Sequence, residues 1–418
     1  MRTTQAIRLA VLGGSGVATP ELIDVFAHEA HRPALHVSLI GRDRAKLEAV
    51  AAMCRRLAGR AAPPITLDTH TDPRRGLEGA DYVLNQIRVG GYAGRAFDET
   101  FPHQFGLPGE ETFGPGGMNM ALRTIPVVLE LCSVIQQVAP AAVIVNLTNP
   151  SSMVQYAITR RTSLQVVSLC DLPILAARTI ADLLGVPVRD IVVRYTGMNH
   201  FGWVTGVRWQ GRDVFPSVLE KILAQPNLPV EPAILRALGV IPTSYFKYLY
   251  HPNRMLASQQ GSRPRALELL ELEAEIQAAY QVDQPRQKPA SLVRRNAAWY
   301  QLMVVPFILA HGADSAEVQV LQISNDRALP FLPAEAIVEV PCVVRRDGLL
   351  PLAYDGGLPP ELEALLLTNA TFEMLWAEAV MEQSYAKALR AMLANHLVRD
   401  YDQAISILDK IWPAQQHG

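Results

Sequence analysis

Within the first 195 residues, short apolar runs alternate with segments of helical period, and no other feature constrains the fold as tightly. Runs at 7–12, 35–40, 65–69, 80–86, 142–147 and 166–169 read as strands, while 20–30, 44–57, 122–138 and 174–184 have helical spacing. Strands that are apolar on both faces must be covered on both faces, so the pattern predicts a parallel sheet flanked by helices. The pattern changes near residue 195. Strands at 191–196 and 201–209 flank Gly197-Met198-Asn199-His200, and a proline-rich stretch covers 226–232. Helices are expected at 265–281 and 289–310, strands at 318–323 and 336–344, and nearly continuous amphipathic helix over 362–412. The expected fold is α/β: a Rossmann-type doubly wound parallel sheet over 1–195, then a mixed α/β substrate domain rich in helices over 196–418. The last helical segment is longer than a small substrate domain needs, so part of it is expected to pack on another subunit of a homodimer or homotetramer.

Composition narrows the class. Lys and Arg total 38 against 40 Asp and Glu, a net charge of −2, which offers no field to hold nucleic acid or an anionic membrane. Four cysteines are too few for a disulfide scaffold in 418 residues. No run of 18 apolar residues occurs, so no transmembrane helix is expected. The opening segment breaks at Gly13-Gly14 without a cleavage site, and reads as a strand instead of a signal peptide. A cytoplasmic, reduced, soluble protein is expected, with its thiols available as ligands.

The first strand ends in Gly13-Gly14-Ser15-Gly16 and leads into a helix. Glycines there let backbone amides approach a pyrophosphate, although an ordinary strand-to-helix turn would use them too. Asp43 comes late for the acidic residue that holds a ribose hydroxyl, and Arg42 and Arg44 could meet a 2′-phosphate instead, so the choice between NAD and NADP stays open.

Five further segments concentrate polar groups at strand ends or in glycine-rich turns. The strand at 80–86 runs into Asn85-Gln86-Ile87-Arg88, with Arg95, Asp98 and Glu99 after it. Asn85 is assigned to the cofactor, and arginines there suit an anionic or polyhydroxy substrate. Gly109-Glu110-Glu111-Thr112-Phe113-Gly114-Pro115-Gly116-Gly117 places two carboxylates in a glycine-rich turn. Asn146-Leu147-Thr148-Asn149-Pro150 and Leu169-Cys170-Asp171-Leu172-Pro173 end apolar strands, and Asn199-His200 joins two others. A cysteine and a histidine that meet in space would suit a divalent metal, yet 29 residues separate Cys170 from His200 and spacing alone proves nothing.

Taken together, these segments resemble the family 4 glycoside hydrolases, NAD- and metal-dependent enzymes related in fold to lactate and malate dehydrogenases. The resemblance spans nearly the whole chain: Gln86 to Gly91, Arg95 with Asp98-Glu99, Gly114 to Gly117, Ala121 to Pro126, Thr148-Asn149-Pro150, Cys170 to Pro173, Asn199-His200, Tyr245 to Tyr248, Arg295 with Tyr300, and Ala336 to Pro341. It implies hydrolysis of 6-phospho-glucosides, β favoured over α, outside the usual two-carboxylate scheme. NAD⁺ oxidises C3 of the sugar, a base removes the acidified C2 proton, the glycosidic oxygen is eliminated, water adds, and the hydride returns. A divalent metal, manganese first, polarises the C2 and C3 oxygens.

The resemblance implies Cys170 and His200 as metal ligands, Tyr245 as the C2 base and Asp171 as the leaving-group acid. Arg88, Arg95, Glu111, Asn149, Asn199 and Arg295 are the implied substrate contacts. Gly13, Gly14, Ser15, Gly16, Arg42 and Asn85 are the cofactor contacts. Three departures stand out. Phe101-Pro102-His103-Gln104-Phe105-Gly106 lacks the usual lysine, Glu110 replaces the usual glutamine, and Asp171 is an α-branch residue in a chain otherwise nearer the β branch. A more acidic pocket is less welcoming to a 6-phosphate, so unphosphorylated glycosides or glucuronides form one alternative. A net 2-hydroxy acid dehydrogenase is another, and a non-catalytic nucleotide sensor a third.

Overall fold

The structure is a computed structural model and describes residues 6–59, 61–281 and 288–412. Its strands are β1 (Ile7–Leu12), β2 (Leu35–Ile40), β3 (Ile65–His70), β4 (Tyr82–Asn85), β5 (Val143–Asn146), β6 (Gln165–Ser168), β7 (Ile191–Met198), β8 (Phe201–Trp209), β9 (Arg212–Asp213), β10 (Ile241–Pro242), β11 (Val318–Ser324), β12 (Ile337–Arg345) and β13 (Gly348–Pro351). Six of them run parallel in the order β3-β2-β1-β4-β5-β6. That order reverses between β1 and β4, which opens a crevice beyond their carboxyl ends. The sheet does not stop at β6. One antiparallel pairing, Gln322 with Ser168, joins β11, and β12, β7, β8 and β10 continue from there.

The period of two along β1 builds both core layers. Leu9 and Val11 pack with Leu22 and Phe26 of α1 (Thr19–His28) and Val50 of α2 (Arg44–Ala58). Ala10 and Leu12 pack on the opposite face with Met118, Ile125 and Met153. Between them lie α3 (Pro73–Leu77), α4 (Gly91–Thr100), α5 (Gly114–Val138), α6 (Ser151–Arg161) and α7 (Leu172–Leu184). Helix α5 begins at Gly114 where residue 122 was expected. The glycine-rich segment is therefore the first turn of the helix: a side chain at Gly116 would overlap the Glu110 carbonyl oxygen, so only glycine lets the helix start under that loop. By length and apolarity α5 could cross a membrane, but here it packs between the sheet and the C-terminal helices. Asp98 of α4, fully buried, receives the Arg123 guanidinium of α5 on both oxygens, and Arg123 Nε donates to Val89 O at 2.9 Å. This pair fixes the loop that follows β4.

The expected helix over 362–412 is three helices, Pro360–Glu382, Tyr385–Ala394 and Tyr401–Ile411. Their apolar residues, Trp376, Met392 and Leu408 among them, join the core layer around α5, and Trp376 Nε1 donates to Met118 O at 2.8 Å. The buried side of the segment thus joins the chain's own core, while Leu367, Leu393 and Tyr401 on the same helices are exposed. Glu373 on the first of these helices accepts hydrogen bonds from Ser152 Oγ and from Asn369 Nδ2 at 2.9 Å, and burial pushes its carboxyl up to about 7. The folded state therefore holds a proton that the unfolded chain releases near its ordinary value, about 4.3. Stability from this group is lost as pH rises from there through about 7. Glu373→Gln should then gain on the order of 1–3 kcal/mol over the wild type between pH 5 and 8, read by urea unfolding. A difference that stays flat with pH would refute it.

Candidate active site

At the crevice, Gly13 takes φ +85°, and the Gly13 and Gly14 amides both donate to Ile40 O at 3.1 and 2.8 Å. A side chain at Gly13 would press on Gln86 O at 3.0 Å, so the turn passes under the β4 exit as only glycine can. Gly16 N donates to Gly13 O at 3.0 Å and Thr19 N to Gly16 O at 2.9 Å. Among the described residues the amides of Ser15, Val17 and Ala18 have no protein acceptor, and they sit at the start of α1. Unused amides at a helix start under a glycine turn fit the pyrophosphate of a dinucleotide. Gln86 braces the turn: its Nε2 reaches Gly13 O at 3.3 Å and Thr19 Oγ1 at 3.1 Å, and Tyr300 OH donates to its Oε1 at 2.7 Å. Asp43 comes late because its carboxylate caps α2, accepting from Lys46 N at 3.1 Å, while Arg42 is exposed beside it.

Two further expected contacts, Asn85 and Arg295, have defined surroundings. Asn85 is 2 % exposed, donates to Asn146 Oδ1 at 2.9 Å and lines a small apolar cavity with Leu12, Val128 and Cys132. The strand's alternation turns it into the α5 layer, so it ties β4 to β5 instead of facing a cofactor. Arg295 lies 5.0 Å over the Trp299 ring and adds its charge to the surroundings of Tyr300, which puts it on the glycine-turn side.

Further along the strand ends, Cys170 follows β6 at 8 % exposure, and its sulfur faces the backbone N–H groups of Leu172 and His200. His200 arrives from the antiparallel part of the sheet. It closes the two-residue turn between β7 and β8 at φ 61°, a left-handed conformation that histidine tolerates better than most side chains. Its carbonyl accepts from Thr243 Oγ1 at 2.8 Å, its Nδ1 lies 2.8 Å from Thr112 Oγ1, and its ring stacks on Tyr245 with centroids 4.0 Å apart. Burial pushes the imidazole down to about 4, so it is neutral at pH 7. Burial, then Glu339 and Asp171, pushes the Cys170 thiol well up. The Tyr245 phenol is also raised, by burial first and then by Glu110 and Glu111, and the Asp171 carboxyl is raised by burial. Asn149, after β5, is half-buried, and Asn199 lines a polar cavity with Thr112, Asn369 and Glu373.

A charge cluster borders these groups. Glu111 bridges Arg88 and Arg95, with 2.9 Å to Arg95 Nη1, and Arg95 Nε also meets Glu99 at 2.7 Å. Burial alone would raise Glu111, but the two guanidinium groups hold it below the ordinary carboxylate value. Glu110, beside it, is pushed up to about 7 by burial and then by the Glu111 charge. Glu110 Oε2 accepts from Thr112 N at 2.5 Å, from Phe113 N at 3.0 Å and from Thr112 Oγ1. The roles of Gln86, Tyr300, Glu110 and Thr112 are not evident from sequence, because each depends on a partner at least 67 residues away or on the turn geometry itself.

Among the described residues no three His, Cys, Asp or Glu side chains are grouped to hold a metal ion. The thiol of Cys170 lies against the His200 backbone amide, and a thiol and an imidazole are donors that fit a divalent cation with open positions for a substrate.

A 3-2-1-4-5-6 parallel sheet with a glycine turn at its switch point defines a dinucleotide-binding enzyme fold, here extended by an antiparallel half that carries a candidate metal ligand. The sequence model of the family 4 glycosyl hydrolases matches residues 8–186, and that of their C-terminal domain matches residues 195–398. This chain belongs to that family and is a hydrolase of glycosidic bonds. It is similar to the probable 6-phospho-beta-glucosidase of Bacillus subtilis, 33% identical over 99% of this chain and 97% of the relative. It is also similar to the 6-phospho-alpha-glucosidase of Leptotrichia buccalis, 30% identical over 98% and 97% of the two chains. The 6-phospho-beta glucosidase from Thermotoga maritima, solved with manganese, NAD+ and glucose-6-phosphate, superposes with a TM-score of 0.88 at 26% identity, covering 97% of each chain.

Proposed function

We propose that this chain hydrolyses 6-phospho-glucosides, β ahead of α, using NAD⁺ and a divalent metal, manganese first, in a reducing cytoplasm. The observation that carries the reading is the approach of the Cys170 sulfur, at the end of the parallel strand β6, to the His200 amide in the turn between the antiparallel strands β7 and β8. The Bacillus, Leptotrichia and Thermotoga relatives support the substrate class, and the last of them the cofactor and metal.

When bound, NAD⁺ supplies a reversible two-electron acceptor for C3 of the sugar, and the metal supplies Lewis acidity at neighbouring hydroxyls. The glycine turn and the amides of Ser15, Val17 and Ala18 hold the pyrophosphate. Cys170 and His200 hold the metal. Asn149, with donor and acceptor on one carboxamide, orients the sugar hydroxyls. Tyr245 takes the C2 proton. Its phenol needs a nearby cation to offset the burial and the two carboxylates that raise it, and the His200 ring is stacked on it. Asp171, whose carboxyl is raised by burial, is the acid for the departing oxygen.

A second reading, an unphosphorylated glycoside, has one specific support: Arg88 and Arg95 are both committed to Glu111, which leaves less positive charge for a 6-phosphate. The test is turnover of 4-nitrophenyl α- and β-glucosides with and without a 6-phosphate, in NAD⁺, Mn²⁺ and reductant. Turnover of the 6-phosphorylated β-glucoside, lost on adding EDTA or omitting NAD⁺, is expected. Turnover indifferent to both, or NADH accumulating in step with substrate, would overturn the reading.

A further inference from the structure

We propose that Thr112 and Glu110 are positioning residues that fix His200 in the tautomer protonated on Nδ1, leaving the Nε2 lone pair for a cation. The inference rests on the metal reading above. The Thr112 hydroxyl has one proton to give and two neighbours to satisfy, Glu110 Oε2 and His200 Nδ1, the latter at 2.8 Å. Glu110 Oε2 also accepts the amides of Thr112 at 2.5 Å and Phe113 at 3.0 Å. An oxygen that accepts two N–H groups is not itself a donor, so the hydroxyl proton goes to Glu110. The oxygen of Thr112 then offers only lone pairs to His200. That contact is a hydrogen bond only if Nδ1 carries the proton, and a neutral imidazole has one N–H, so Nε2 is bare.

The rest of the ring's freedom is removed from the other side. The stack on Tyr245, 21° from coplanar at 4.0 Å, sets the ring plane, and the Thr243 bond to the His200 carbonyl sets the turn that carries it. A hydrogen bond on the non-ligating nitrogen is the usual means by which a protein chooses which histidine nitrogen meets a metal. Here the donor-acceptor order runs from His200 Nδ1–H to Thr112 Oγ1–H to Glu110, anchored at the start of α5.

The tautomer can be read in the metal-free protein. Long-range ¹H–¹⁵N spectra of histidine-labelled protein, with His200 assigned from the His200→Gln spectrum, should show its proton on Nδ1 in the wild type and in Thr112→Ser. Thr112→Val removes the acceptor and should leave a mixture. Glu110→Ala frees the hydroxyl to turn and donate to Nδ1, which should move the proton to Nε2, while Glu110→Gln should keep the wild-type pattern. In parallel, Mn²⁺ affinity measured from the free-ion EPR signal should weaken by about 10–100-fold in Thr112→Val and stay close to wild type in Thr112→Ser. A wild-type proton on Nε2, or a Thr112→Val protein with unchanged tautomer and unchanged Mn²⁺ affinity, would overturn the inference. A wild type with the Nδ1–H signature but no Mn²⁺ binding would overturn the metal reading and leave the tautomer assignment supported.

Discussion

Cys170→Ala is expected to lower kcat by at least about 10³-fold, roughly 4 kcal/mol of transition-state stabilisation, at any Mn²⁺ concentration. The sulfur stands at the end of β6, next to the His200 amide, and in the proposed metal site its loss would leave one protein donor of two. One imidazole does not hold a divalent cation against water, so the Lewis acid goes with the thiol. The fold should survive, because the side chain removed is small and lies at a strand end, with a stability cost of about 1 kcal/mol. Steady-state kinetics across a Mn²⁺ titration, beside urea unfolding, would check both halves. A folded variant within tenfold of the wild-type kcat would remove Cys170 from the metal site. Oxidation of the same thiol should inactivate the enzyme, with recovery in reductant while the sulfur is still a sulfenic acid or disulfide.

Glu111→Ala should cost about 3–5 kcal/mol of stability at pH 7, the usual penalty for breaking a buried ion pair from one side. Glu111 is 8 % exposed at its side chain and sits between Arg95, at 15 %, and Arg88, at 28 %. Without it, Arg95 keeps Glu99, but among the described residues Arg88 keeps only its position over the Tyr92 ring. Since the arginines hold Glu111 below the ordinary carboxylate value, its contribution is full above about pH 4.3 and is lost as pH falls further. The wild type and the variant should therefore converge in acid. A midpoint in urea at pH 7 equal to that of the wild type would show that the cluster is solvated and contributes nothing. Glu111→Gln, which keeps the shape and removes the charge, separates the electrostatic part from packing.

Local pattern was enough to set the frame. The alternation of runs in the first 195 residues specified the doubly wound sheet, and the helix expected at 265–281 is the helix Arg265–Gln281. Both follow from short-range physics, the period of an apolar face and the cover that face requires. The motifs around Cys170, His200 and Asn149 were also legible, because each closes a strand or opens a turn within a few residues, whereas Tyr245 stood out only through the family resemblance. What local pattern could not decide was anything set by contact across the chain. The start of α5 depends on how closely Gly116 passes Glu110, the face taken by Asn85 on which side of β4 the α5 layer lies, and the side of Arg295 on where Tyr300 meets Gln86. The amphipathic stretch over 362–412 shows its period in the sequence, but only the fold shows that its buried side packs on α5.

The charge pattern shows the same division. Read along the chain, Arg88, Arg95 and Glu111 are three candidates for substrate contact; in space they are one cluster that neutralises itself in part. Sequence by itself determined the fold class, the family motifs and the identity of the chemical groups, since these depend on residue type and on neighbours within one element. The tertiary structure alone decided that 29 intervening residues bring Cys170 to the His200 amide, and that the Glu110–Thr112 turn lies against the His200 ring. The physical reason is that the direction of a hydrogen bond and the strength of a charge pair depend on the final few ångströms of separation, which long-range packing sets and local period does not.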